Sequence, residues 1–335
     1  MQNKKRINRL VWVDIAKAVA IIAMILGHEI GKDKSLHFWI YSFHMPIFFI
    51  LSGYTSRLVD TWQVWHKQIK KLFIRILVPA LLMIFIYQIE RVLFKQISWD
   101  QVWMISVKEL FWGADPVLSS GLSVEIEWFL FLYFFAKLFF DTFNILFKNK
   151  NYGIILMILS LASYLFISVH MNLPFVLDLV PLASFYMYVG HLLKSNQIWI
   201  QSHYLIIVSA AFIYWGWMIL NHQAVDIAIR YFTNNYILGI LETITGSFVV
   251  IVVCRLVEDF KSMKMFSLLG RHTLMLMFIH ELDCFNFTGM YIIQALHFNN
   301  YTSGIYRVVM DITILFLFIG VQKGFQILRR MYTTR

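Results

Sequence analysis

Side chains able to carry charge or move a proton sit inside the first two apolar stretches of this chain. They include Asp14, Lys17 and His28 between Leu10 and Ile30, and His37 and His44 between Ser35 and Tyr54. A charged group within a transmembrane helix costs about 2.5–3.5 kcal/mol on insertion scales, so such residues face a protein interior or a wet cavity and mark function. An imidazole, with a reference pKa of about 6.5, takes and releases a proton near neutrality. At 100° per residue Lys17 and His28 differ by about 20° around a helix and lie roughly 16 Å apart along it, with Asp14 within about 60° of the same direction. One face of the first helix therefore lines a route through much of a membrane. A structural Asp14–Lys17 pair, with His28 reaching to the interface, accounts for that helix equally well when it is taken alone. In the second stretch His37 and His44 again share a face, with Tyr41 between them. Pro46 removes a backbone donor and should break the helix there. Ser52-Gly53 permits close backbone approach. Polar side chains beside a broken helix are a common way to build a binding site near the membrane midplane, in a proton-coupled carrier or in a catalyst.

The rest of the chain supplies the elements that must hold these groups. Hydrophobic residues make up 59% of the 335, charged residues only 14%. Apolar runs of about 20 residues recur, too long for barrel strands, so the expectation is an all-α polytopic transmembrane bundle of about ten helices. The spans fall near 11–30, 36–56, 72–94, 126–147, 153–170, 174–193, 203–221, 235–257, 267–286 and 304–327. The net charge of +10 is distributed in alternate loops, among them Lys4, Lys5 and Arg6, then Lys148 and Lys150, Lys261 and Lys264, and Arg329, Arg330 and Arg335. That pattern follows the positive-inside rule rather than a nucleic-acid surface, and it puts both termini in the cytoplasm. The longest extracytoplasmic segment, 95–125, carries Trp99, Trp103 and Trp112 in an amphipathic pattern. It suits the membrane interface, and it could also cover a substrate cavity. Cys254 and Cys284 form no metal or redox spacing, and the first apolar run reads as a retained span rather than a cleaved signal.

The spacing of Lys17 and His28, preceded by Asp14 and followed by SFHMPIFFILSGY, resembles the acyltransferase 3 family of integral membrane acyltransferases. The Phe43-His44-Met45-Pro46 version looks most like its fucose 4-O-acetylase-like branch. Leu269-Gly270-Arg271-His272-Thr273-Leu274 with His280 resembles the family's late Gly-x-x-Ser-Leu…His element, Thr273 keeping the hydroxyl. The segment from Ser123 offers Glu125 or Glu127 as a counterpart of the family's glutamate. The resemblance implies one transmembrane domain over 1–335 with no appended soluble domain. It further implies transfer of an acyl group, usually acetyl, from cytoplasmic acyl-CoA to a hydroxyl of an extracytoplasmic or lipid-linked glycan, in the cell membrane. Lys17 stands where the family also permits Arg, and gives a point charge rather than a bidentate fork.

On that resemblance His28 is the general base or a transient acyl carrier, and Asp14 and Lys17 hold the stripe and orient acetyl-CoA. His44 orients the acceptor, polarises the thioester, or pins the broken helix. Glu127, Trp128, His280 and Ser52 are the substrate-binding candidates, although a structural role suits His280 and His272 as well. Arg57, Lys67, Lys70, Lys71 and Arg75 form a basic loop that could receive CoA phosphates, or could serve topology and anionic lipid. Arg307 and Asp311, one turn apart, read as an ion pair. Glu281 and Asp283 could pair with cations; Asp178 and Glu242 could line a cavity or bridge helices. No metal motif appears. The partners expected are acyl-CoA, a sugar acceptor and lipid, and not nucleic acid; oligomeric state is not readable. A proton-coupled transporter or polysaccharide exporter is the competing reading.

Overall fold

The computed structural model describes residues 9–30, 35–112, 127–148, 150–169, 173–223, 225–232, 235–282 and 292–333. Lys4, Lys5, Arg6, Ser123, Glu125, Asp283, Cys284 and Arg335 lie outside the described residues. In chain order the helices are α1 (Val11–Glu29), α2 (Ser35–Tyr41), α3 (Pro46–Thr55), α4 (Trp62–Leu72), α5 (Val78–Leu93), α6 (Trp99–Trp112), α7 (Trp128–Phe147), α8 (Gly153–Val169), α9 (Val180–Ser195), α10 (Gln197–Ser202), α11 (Tyr204–Leu220), α12 (Tyr236–Leu256), α13 (Met263–Arg271), α14 (Thr273–Glu281) and α15 (Asn300–Thr333). A π-helical turn, Phe73–Leu77, joins α4 to α5, and a 3₁₀ turn, Pro174–Leu179, leads into α9. A two-stranded antiparallel hairpin, β1 (Val225–Asp226) and β2 (Tyr231–Phe232), links α11 to α12.

Seven stretches among the described residues are long and apolar enough to cross a membrane, and Gly153–Phe166 and Tyr204–Leu220 are shorter apolar helices. The protein is a helical membrane protein. The span expected at 267–286 is instead two short helices that meet at His272. The apolar surface is turned outward, with Leu205 and Leu220 each 78% exposed. Charged and imidazole groups such as Asp14, His44, His280 and Asp311 are buried. That inversion suits a hydrocarbon solvent, where a lone polar group must find its partners inside the bundle.

Two backbone contacts set the core. Gly53 on α3 and Gly190 on α9 face each other across a crossing so tight that a Cβ on Gly53 would lie 1.7 Å from the Met187 carbonyl oxygen. A Cβ on Gly270 would lie 1.7 Å from the Asp14 carbonyl oxygen, so α13 rests directly on α1. Small residues let helices in lipid approach and gain dispersion contacts where no hydrophobic drive exists. α15 begins beside the end of α1, where the Ser303 hydroxyl donates to Glu29 at 2.8 Å, and runs back along it.

Pro46 does mark a break, but the helix stops before it: α2 ends at Tyr41, residues 42–45 form a turn, and Pro46 opens α3. Proline is favoured there because its missing N–H would have no helical partner. α6 exposes Trp99 and Trp103 and buries Glu109. The remainder of that Trp-rich segment, 113–125, lies outside the described residues.

Candidate active site

Three helices converge on one cavity of about 210 Å³. α1 contributes Lys17, Ile21 and Met24, which with His28 occupy positions i, i+4, i+7 and i+11 and so form one face. α3 contributes Phe48, Ser52 and Thr55, with Met45 from the turn just before it; α14 contributes Thr273, Leu274 and Met277. α7 closes the side with Phe129, Leu130 and Tyr133, and the Ser52 and Tyr133 hydroxyls share a hydrogen bond of 2.9 Å. Each wall has the same order. Polar groups (Lys17; Ser52 and Thr55; Thr273) stand at one end. A buried methionine (Met24, Met45, Met277) follows, and a histidine (His28, His44, His280) lies just beyond it in sequence. Methionine is pliable and apolar, so the three give the cavity a soft apolar lining between the lysine and the histidines.

Two of these histidines, His28 and His280, are hydrogen-bonded to each other. His280 Nδ1 lies 2.8 Å from Asp311 Oδ2, and His280 Nε2 lies 3.3 Å from His28 Nδ1. Asp311 is fully buried and His280 is 4% exposed. A carboxylate only accepts, so Nδ1 of His280 carries a hydrogen and Nε2 of a neutral ring is left as an acceptor. His28 must then donate from Nδ1, which leaves its Nε2 with a free lone pair. The His28 residue keeps open surface. His44 and His37 also interact electrostatically with it.

The expected pairs differ from those observed. Asp14 does not pair with Lys17. It accepts from Arg9 Nε at 2.5 Å and Nη2 at 2.9 Å, and Arg271 Nε approaches to 3.5 Å. The bond to Asp14 raises the Arg9 guanidinium above its ordinary value. Asp14 therefore fastens α13 to the start of α1, and Lys17 lines the cavity, near enough to Asp14 to feel its charge but without an ion pair among the described residues. Arg307 and Asp311 are not partners either: Arg307 Nε reaches Glu29 at 3.4 Å, and Asp311 serves His280. The i,i+4 spacing on α15 suggested the wrong pair because residues far apart in sequence compete for both groups.

His44 donates through Nδ1 to the Ile40 carbonyl at 2.9 Å, which also accepts the Phe43 and His44 backbone N–H groups and so pins the turn after α2, and its ring packs against Tyr41 at 4.8 Å. Asp178 bridges elements through a buried ion pair with Arg230 at 2.8 Å. Glu242 is fully buried on α12. Glu127 and Trp128 are buried at the start of α7, but neighbours on that helix, not they, line the cavity. Arg57, Lys67, Lys70, Lys71 and Arg75 are all exposed. Thr55 and Ile76, close to Arg57 and Arg75 in sequence, reach the lysine end of the cavity, so the basic segment flanks it. Tyr133 had no sequence signal of its own; Asp311 and Arg271 were visible in the sequence, but not with the partners they have here.

The model of one family, described as Acyltransferase domain (Acyl_transf_3), matches residues 10–321, nearly the whole chain and every helix of this site. No curated protein and no solved structure matches the chain.

Proposed function

The chain belongs to the acyltransferase 3 family, and from that premise we propose that it is a multi-pass cell-membrane O-acyltransferase moving an acetyl group from acetyl-CoA to a hydroxyl of a glycan or lipid-linked sugar. The observation that carries this reading is the Asp311–His280–His28 chain, together with a cavity lined by Lys17, which makes no ion pair among the described residues. In the proposed reaction the acceptor oxygen attacks the thioester carbonyl carbon, a C–O bond forms, and the C–S bond breaks. Nε2 of His28 takes the hydroxyl proton and returns it to the departing CoA thiolate. His280 and Asp311 hold the His28 tautomer and spread the positive charge that develops, as the orienting members of hydrolase triads do on unrelated folds. Were His28 to carry the acyl group first, the same nitrogen would be the nucleophile.

The lysine end is the cytoplasmic end in this proposal, because the flanking basic residues follow the positive-inside rule, and both termini lie there with it. Lys17 orients the pantetheine arm, and Arg57, Lys67, Lys70, Lys71 and Arg75 receive the CoA phosphates. The branch related to fucose 4-O-acetylases is the one the Phe43–Pro46 segment favours.

The test is transfer of labelled acetyl from acetyl-CoA to glycan in membranes holding the protein or its His28→Ala variant. Acetylation that depends on both the protein and His28 supports the proposal. Equal labelling by the variant removes His28 from the chemistry, and proton-coupled uptake of sugar without acetyl transfer would make the protein a carrier.

A further inference from the structure

A second cavity, of about 370 Å³, lies where α1 and α11 begin and α3, α9 and α12 finish, at the end of the bundle nearer Lys17. It falls within the range of about 300–1,000 Å³ typical of small-molecule sites. Leu193, Ile200, Phe248, Ile251 and Val252 make much of its lining apolar, and Gln201, Tyr204 and Arg255 add polar groups. We propose that this cavity holds one phospholipid from the adjoining leaflet, with an acyl chain among the apolar residues and the headgroup phosphate against Arg255.

The place of the cavity says where its occupant comes from. On α10, Gln197, Ile200 and Gln201 stand at i, i+3 and i+4 and line the cavity. Ile198 and Trp199 fall on the other side of that short helix and are 84% and 59% exposed. An exposed Ile-Trp pair beside the ends of apolar helices belongs at the headgroup level of a bilayer, where Trp is enriched. Leu256 lines the cavity and is 66% exposed, so the cavity opens onto the lipid-facing surface.

The polar groups distinguish a phospholipid from bare hydrocarbon. Phe248, Ile251 and Val252 are buried, whereas Gln201 and Arg255 are exposed, so the lining runs from an apolar interior to a polar edge. A guanidinium matches a phosphate with a planar fork of donors, and basic pockets between transmembrane helices suit lipid headgroups. The Arg255 charge acts on Tyr54, which lines the cavity from the end of α3. Gln201 and the Tyr204 hydroxyl can donate to phosphate or ester oxygens. Glu258, a carboxylate of the same lining, accepts the Trp12 backbone N–H at 3.2 Å and so serves the start of α1. Within a bilayer no hydrophobic drive separates a tail from its neighbours, so charge and packing decide which lipid stays.

Native mass spectrometry of the full chain, released from nanodiscs of palmitoyl-oleoyl phosphatidylglycerol, tests this. Wild-type protein should keep one phospholipid per chain. Arg255→Gln should lower the retained fraction fivefold or more. Ile200→Trp, which fills the cavity and leaves Arg255 in place, should do the same. Lys264→Gln, which removes an exposed cation of α13, should leave retention unchanged. Arg255 and Lys264 are exposed, so their replacement spares the packing, and a thermal midpoint verifies folding of every variant. Diacylglycerol with the same chains should be retained at least fivefold less, and glycerol 3-phosphate should displace nothing. Absence of a phospholipid adduct, a protein dimer in its place, or equal losses in Arg255→Gln and Lys264→Gln would overturn the proposal. Equal retention of diacylglycerol would give the site to a neutral lipid, and displacement by glycerol 3-phosphate would give it to a soluble phosphate; either result also overturns it.

Discussion

Asp311→Asn isolates the hydrogen-bond chain from everything else in the site. The substitution keeps volume and shape, so the packing of α15 against α1 and α14 is unaltered. It changes the logic of the bonds. An Asn amide can present its NH₂ to His280 Nδ1, which then accepts and forces the hydrogen onto Nε2. His28 Nδ1, 3.3 Å away, would in turn have to accept, and its own hydrogen would move to Nε2, the position needed for the lone pair. The 2.8 Å bond to a buried carboxylate is charge-assisted. Losing it removes about 1.5–3 kcal/mol, or roughly 10- to 150-fold in rate. The inverted tautomers add to that, and comparable Asp→Asn changes in hydrolase triads cost about 10⁴. The expected fall in kcat is therefore between about 10² and 10⁴, with the acetyl-CoA KM little changed because the lysine end of the cavity is untouched. The assay is acetyl release and transfer by purified protein in lipid nanodiscs, alongside a thermal midpoint to verify folding. A well-folded Asp311→Asn protein within threefold of the wild-type kcat would refute the relay.

Three other perturbations separate the parts of the structure. Lys17→Gln should raise the acetyl-CoA KM about tenfold or more, since a charge near 4 Å in an environment of effective dielectric about 20 contributes up to about 4 kcal/mol to an anionic or polarised partner; equal KM values would remove Lys17 from donor binding. Gly270→Ala, whose Cβ would meet the Asp14 carbonyl at 1.7 Å, should destabilise the bundle by about 1–3 kcal/mol or more, whereas Gly320→Ala, with nothing within 4 Å, should be neutral or slightly stabilising in the same thermal assay. Burial pushes the Glu109 carboxyl up to about 7, against 4.5 for a free glutamate, with Lys108 and Arg91 opposing. The stability this confers is complete below the free value and is lost as pH rises through about 7, by at most about 3 kcal/mol. Hydrogen exchange of α6 should therefore quicken between pH 5 and 8, after correction for the intrinsic rate, and Glu109→Gln should abolish the change.

What could be read from the linear chain follows from local rules. Apolar run length identified membrane helices, because hydrocarbon thickness sets the span. The 3.6-residue period placed Lys17 and His28 on one face, and the cavity lies along that face. Pro46 announced a broken helix, displaced by only a few residues from where the chain turns. The partners of each charge were not readable, because pairing is settled by competition in three dimensions. Lys17 is three residues from Asp14, yet Arg9 and Arg271 hold that carboxylate with better geometry. Asp311 is four residues from Arg307, yet a histidine 31 positions away takes it. A glycine at 270, otherwise unremarkable in a helix, becomes intelligible only once the Asp14 backbone is seen against it. Residue types and helical period thus determined which groups the membrane forces inward, since desolvation penalises each one separately. Only the packing of α1, α3, α14 and α15 decided which of them meet, since a hydrogen bond depends on position to a fraction of an ångström and sequence distance carries no such information.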